Sequence, residues 1–389
     1  MEQLEIISGA DLQWKDYSRI QEFVAVSFGN PVPPMPEKNP ENLRWFRHKY
    51  RYYRYTEIDG KIASGLWAYP IPFLADGRNV DVWSIGGVST APEFRGRSLM
   101  SRMMTQVMRD IREAGAALIW LAGKKDRYMH FGFQRAGNML ELDIEADNVR
   151  RHLTAHGNKT VFYPAPAQVP WHEVQKLTCP QRFRHDVPLE DYAFKCIDHQ
   201  YLAAFALENG IPAAAIVFKP SERPELAEYG GKTEPLEDLL LAFSQKYPSF
   251  QVRLPHMDSP FFRLFFPLAE RWRIDINYNI AVTDLQKCLK LSAAHFRTVH
   301  DCLEGRSVNF VMTGGIFPEQ RTSLAVRNRQ LLVGQLLPGA PEIVLTPEDM
   351  AALIFGPVRP SVLTRSPETA WLDLLFPVIL NLQHSVHGA

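Results

Sequence analysis

A chain of 389 residues has room for two or three domains at about 100–200 residues each. Its apolar share of 46% and charged share of 22% are those of a globular protein, and Lys+Arg and Asp+Glu stand equal at 43 each, which argues against a general binder of nucleic acid or of an anionic membrane. The N-terminal sequence lacks the basic head and apolar run of a signal peptide, and no window approaches the roughly 18 apolar residues of a membrane span. Cys179, Cys196, Cys288 and Cys302 form no CxxC pair and no Cys/His cluster of zinc-finger spacing. The expectation is a cytoplasmic protein with reduced thiols and no metal.

In chain order, Leu4–Ile7 is a short strand candidate. Leu12, Tyr17, Ile20, Phe23, Val24 and Phe28 follow a helical period. The proline-rich run from Pro31 to Pro40 breaks regular structure, and Glu41–Tyr50 reads as an aromatic and basic helix. Two strands meet at the hairpin signal Asp59-Gly60, and Asp76-Gly77 precedes a third strand, Val80–Val88.

The stretch from Asp81 to Gly137 organises the rest. That third strand passes through Ile85-Gly86-Gly87-Val88 into a turn, Arg95-Gly96-Arg97-Ser98, and the turn opens a helix. Leu99, Met100, Met103, Met104, Val107, Met108 and Ile111 give this helix one apolar stripe, and Gly115 ends it. Ala116–Ala122 is a short apolar strand of a buried sheet. Beyond it lie Gly123, Lys124 and the aromatic segment with Tyr128.

A polar stretch follows, and the order then repeats: a hairpin at Asn209-Gly210, a strand through Leu226–Tyr229, a helix over Pro235–Tyr247, a strand at Gln251–Leu254 and an aromatic run over Phe261–Trp272. This implies an internal duplication whose second copy, Gly230-Gly231-Lys232-Thr233, has lost the arginines. From Thr283 the style changes. A helix over Asp284–Phe296 precedes three short strands and a helix that starts at Thr346-Pro347-Glu348-Asp349 with an N-cap, a first-turn proline and two acids.

Successive amides that open a helix, with little side-chain bulk and two guanidiniums, suit the phosphates of a nucleotide-like ligand. The glycines of the preceding strand permit close backbone approach, and a pantetheine arm can pair with such a strand as an added peptide would. The sequence from Val88 to Met100 resembles the acetyl-CoA signature of the GCN5-related N-acetyltransferases (GNAT). It keeps Arg95 but has Ser98 and Met100 at two positions that are usually small. The bulky Met100 is similar to one subgroup, the enhanced-intracellular-survival type.

The resemblance implies an α/β (α+β) chain with two tandem GNAT-like mixed-sheet domains, 1–149 and 150–282, and a sterol-carrier-protein-like α+β domain over 283–389. The middle domain is degenerate and without cofactor. Val88, Ser89 and Thr90 would line the pantetheine and acetyl group, and Arg95, Gly96, Arg97, Ser98, Leu99, Met100 and Ser101 would hold the pyrophosphate. Gly123 and Lys124 match a second cofactor-contact position. Tyr128 matches the general acid, and the C-terminal carboxylate, here of Ala389, the general base, with His384 and His387 nearby. Phe28, Trp45 and Trp83 would border the acceptor cleft. The implied activity is transfer of acetyl from acetyl-CoA to a primary amine, aminoglycoside-like or lysine-like, in a homo-oligomer that is a hexamer by family resemblance. The competing class is an acyl or apolar-ligand binding protein that uses the carrier-like module.

Overall fold

The computed structural model describes residues 5–75, 78–137, 139–178, 183–185, 187–254, 261–276, 278–295 and 299–377. The chain opens with β1 (Ile7–Ser8), α1 (Trp14–Phe28) and α2 (Pro40–Tyr50). Gly29 ends α1 in the left-handed region, and the Asn39 side chain caps α2 by accepting from the Asn42 amide at 2.8 Å. β2 (Tyr53–Ile58), β3 (Lys61–Ala75) and β4 (Arg78–Thr90) form an antiparallel meander. α3 (Leu99–Glu113) then crosses to β5 (Leu118–Leu121), which runs parallel to β4, and β6 (Gln134–Ala136) and β7 (Met139–Glu145) follow.

The second run consists of α4 (Ala146–His152), β8 (Lys159–Phe162), α5 (Trp171–Thr178), β9 (Phe183–His185), α6 (Leu189–Asp198), β10 (Leu202–Glu208), β11 (Ile211–Phe218), β12 (Glu225–Gly231), α7 (Thr233–Lys246), β13 (Ser249–Leu254), α8 (Phe262–Phe265), β14 (Ala269–Asp275) and β15 (Tyr278–Val282). The last run is α9 (Leu285–His295), β16 (Ser307–Met312), β17 (Gln320–Arg327), β18 (Gln330–Gly334), β19 (Glu342–Leu345), α10 (Pro347–Phe355) and α11 (Pro360–Thr364).

Among the described residues there are three sheets. The first has the order β1-β2-β3-β4-β5-β15-β6, with β9 also on β3, and the second has the order β14-β7-β13-β12-β11-β10-β8. Read in reverse, the second repeats the first, strand for strand, so the chain holds two tandem mixed-sheet units of one design. The third is a four-stranded sheet, β18-β17-β16-β19.

Sheet membership cuts across the sequence spans 1–149 and 150–282. β7, from the first span, pairs with β13 and β14 in the second sheet, while β15, from the second span, lies between β5 and β6 in the first. Both strands are apolar enough to sit inside either sheet: Leu140, Leu142 and Ile144 are buried, as is all of β15.

The first sheet packs on both faces. Leu66, Ala68, Ile85, Ile119 and Leu121 lie under the apolar stripe of α3. On the other face Tyr53 and Tyr55 pack against α1 and α2. Ile71, Val82, Leu118, Trp120, Tyr278 and Ile280 share one core with α9, β16, β17 and α10. In the second sheet α5 presses onto β12, so that a Cβ at Gly230 would run into the Leu177 carbonyl.

No helix among the described residues is long and apolar enough to cross a membrane, and no group of His, Cys, Asp and Glu there could hold a metal.

Candidate active site

β4 and β5 pair only from Val82–Leu118 to Ser84–Trp120 and then part. Past Ser84, no strand among the described residues pairs with β4 on its β5 side. On its other side β4 carries a bulge. Between the pairs Gly65–Ser89 and Trp67–Gly86, it places Gly87 and Val88 opposite the single residue Leu66. Gly87 has φ +57°, and a Cβ there would run into the Trp67 indole, so both backbone and space demand glycine. Ser64 Oγ fastens the bulge by donating to the Ser89 carbonyl at 2.8 Å.

The backbone leaves β4 through a short turn at Pro92–Phe94 and enters α3 with Gly96 at φ +80° and Ser98 at φ +55°. No side chain caps α3, its first turn holds no acid, and its first internal bond is from the Arg102 amide to the Ser98 carbonyl. The amides before Arg102 therefore have no partner within the helix and carry the positive end of its dipole. Arg95 and Arg97 are exposed beside them. Arg95 Nε donates to the Thr90 carbonyl at 3.4 Å, and the Arg97 guanidinium lies 5.3 Å from the Phe94 ring.

At the far side of the splay, the chain leaves β5 through Gly123, at φ +130°, and exposed Lys124. The Tyr128 ring covers Gly123 so closely that a Cβ there would stand 3.1 Å from it. Tyr128 is 8% exposed and meets Phe133 edge-on at 6.2 Å. Burial raises its pKa above the ordinary tyrosine value, partly offset by the Arg127 charge. Fully buried Asn279 on β15 donates from Nδ2 to the Gly123 carbonyl at 3.0 Å, which ties this corner to the exchanged strand.

Val88, Met100, Trp83 and Tyr128 belong to one apolar cluster, so the bulge, the start of α3 and the tyrosine come together on one face of the sheet. Open strand edge, uncapped helix end and buried phenol can together hold a phosphorylated, amide-bearing ligand and protonate a leaving group.

Residues 10–136 match the acetyltransferase (GNAT) domain family. This part of the chain is an acetyltransferase (GNAT) domain. The chain that carries it is an acyltransferase. Its fold is similar to that of a GCN5-related N-acetyltransferase from Kribbella flavida (16% identity, TM-score 0.69, covering 97% of each chain). It is also similar to that of Eis1 from Mycobacterium abscessus (13% identity, TM-score 0.64, 99% of each chain). A third similar structure is a GCN5-related N-acetyltransferase from Anabaena variabilis (14% identity, TM-score 0.69, 97% of this chain and 98% of that one). At these identities the likeness is one of fold. No curated protein matches the sequence.

The GNAT domain does not gather all the expected acceptor-site residues into one cluster. Trp83 joins Tyr128 on the α3 face. Trp45 packs on the α1–α2 face, against Phe46 at 4.8 Å and Phe194 of the middle unit at 6.0 Å. Phe28 is 51% exposed at the end of α1. Leu99 turns toward the α1–α2 cluster, whereas Met100 turns toward Tyr128. Ala389, His384 and His387 lie outside the described residues. Sequence reasoning missed Trp67, Ser64 and Asn279. Gly87 signals the bulge, but nothing local marks Trp67 as its neighbour.

Proposed function

We propose that the chain transfers an acetyl group from acetyl-CoA to a primary amine, aminoglycoside-like or lysine-like, by direct attack in a ternary complex. The observation that carries this reading is the uncapped, acid-free start of α3 beside Arg95, Gly96 and Arg97, contiguous with the unpaired edge of β4. The amides of α3 and the two arginines would hold the phosphates, with Ser98, Met100 and Ser101 at the helix start. Val88, Ser89 and Thr90 would hold the pantetheine amides and the acyl end, and Gly123 and Lys124 would border the cofactor from the β5 side.

Bound acetyl-CoA supplies a thioester, whose carbonyl carbon gains the amine nitrogen as the C–S bond breaks. Tyr128 gives its proton to the departing sulfur, and its raised pKa keeps that proton in place at neutral pH. The ammonium proton goes to the C-terminal carboxylate of Ala389. On this reading the span from 283 onward is a carrier-protein-like scaffold of a cytoplasmic homo-oligomer. The support for a scaffold is the core that α9, β16, β17 and α10 share with the first sheet.

Thiol release from acetyl-CoA over a panel of amines tests the reading. Tyr128→Phe is expected to lower kcat about 100-fold or more and to remove the basic limb of the pH profile, which burial of the phenol shifts upward from the ordinary tyrosine range, while acetyl-CoA affinity changes little. Removal of Gly388 and Ala389 is expected to lower kcat as well. Acetyl-CoA binding with no turnover of any amine would leave a binding protein in place of a catalyst.

A further inference from the structure

The β4 bulge turns its two extra residues to different neighbours. Val88 belongs with the Tyr128 and Met100 cluster on the α3 face. Gly87 lies against the Trp67 indole, which packs among the α1–α2 residues on the opposite face. The indole is held on several sides. Tyr53 stands 4.5 Å away, Tyr50 stacks at 6.0 Å with 27° between the planes, and Nε1 donates to the Lys49 carbonyl at 3.4 Å. Tyr50 and Tyr53 are themselves buried in the α1–α2 core. A ring fixed in this way cannot swing aside without moving that core.

We propose that Trp67 is the residue that limits acyl length: its indole closes the α1–α2 side of the acyl pocket at the Gly87 bulge and restricts the donor to short acyl groups such as acetyl and propionyl. The inference rests on the acyl-CoA reading of the site. A donor laid along the open edge of β4 brings its acyl end to the bulge. With no Cβ at position 87, the first side-chain atoms on that side of the backbone are those of the indole. Each methylene beyond the available depth must displace a wedged ring, and a closed apolar pocket rejects one methylene by roughly 10-fold or more.

The test is the ratio of kcat/KM for butyryl-CoA to that for acetyl-CoA, with calorimetric binding of coenzyme A as a separate readout. The parent protein should favour acetyl-CoA by roughly 10-fold or more. Trp67→Ala should raise the ratio by about the same factor, and Trp67→Phe, which keeps most of the packing, should raise it part of the way. A parent protein that turns over both donors equally overturns the inference. So do folded, coenzyme-binding variants whose ratio equals the parent's. A parent that binds no coenzyme A overturns the acyl-CoA reading itself, and the pocket assignment with it. Trp67→Phe keeps the test open if the alanine variant fails to fold.

Discussion

A side chain at position 87 meets two separate obstacles. The backbone sits at φ +57°, where an L-residue costs about 1–2 kcal/mol, and the Trp67 ring fills the space where a Cβ would go. Gly87→Ala is therefore expected to destabilise the chain by about 1–3 kcal/mol and to weaken acetyl-CoA binding, because the bulge and the ligand edge are the same backbone. Urea unfolding and calorimetry read the two effects. In a Trp67→Ala background the steric obstacle is gone and the backbone one remains, so Gly87→Ala should cost less stability there than it does in the parent. A single variant as stable as the parent would mean that the bulge relaxes freely. The site's legibility in the sequence divides along this line. Arg95-Gly96-Arg97 stands out because its composition departs from that of any core strand. Trp67 does not, because an aromatic residue in an alternating strand reads as packing, and the extra residue that brings Gly87 against it is a property of register between two strands.

At the scale of elements, α6 of the middle unit is clasped to α2 of the first. Lys49 meets Asp198 at 3.0 Å, Arg51 meets Asp191 at 2.8 Å, and the His48 and Phe194 rings lie 3.9 Å apart. Lys195 in this clasp lies 4.7 Å from the centre of the Tyr69 ring, and burial lowers its pKa to about 8, with Asp191 acting in the opposite direction. A lysine with a lowered folded pKa disfavours the folded state while it is charged. The penalty is complete below about pH 8 and fades as pH rises toward the ordinary lysine value of 10.5, because there the unfolded chain holds a proton that the folded one has released. Lys195→Met should accordingly melt a few degrees above the parent at pH 7, and the gap should close by pH 10.5. A gap independent of pH would show that packing, not charge, sets it. None of this clasp is visible in the sequence. The hairpins at Asp59-Gly60 and Asn209-Gly210 are, because both residues of each turn take positive φ and the signal is complete within two positions. The turn expected at Asp76-Gly77 lies outside the described residues, although β3 and β4 pair on either side of it.

For the whole molecule, the decisive feature is the exchange of β7 and β15. A parallel or interior strand carries no local mark of its partner, and Asn279 on β15 meets Leu121 on β5 across a sequence separation of 158 residues, so their register cannot be read from either segment. Its consequence reaches the active site. Asn279 supports the Gly123 carbonyl, and Gly123 is the surface on which the Tyr128 ring rests. Without β15, β5 loses its partner on that side, the Gly123 carbonyl loses its donor, and the core shared with α9, β16, β17 and α10 loses Tyr278, Ile280 and Val282 from its sheet side. A fragment of residues 1–149 is thus expected to show no cooperative thermal transition and no acetyl-CoA binding, although it contains the whole matched acetyltransferase span, 10–136. Co-expression with residues 150–389 should restore both, because the missing strand and the missing core arrive together. Calorimetry of the fragment alone and of the reassembled pair decides the matter. A fragment that melts cooperatively and binds acetyl-CoA by itself would show that the exchanged strand is dispensable, and the dependence of Tyr128 on the far half of the chain would fall with it.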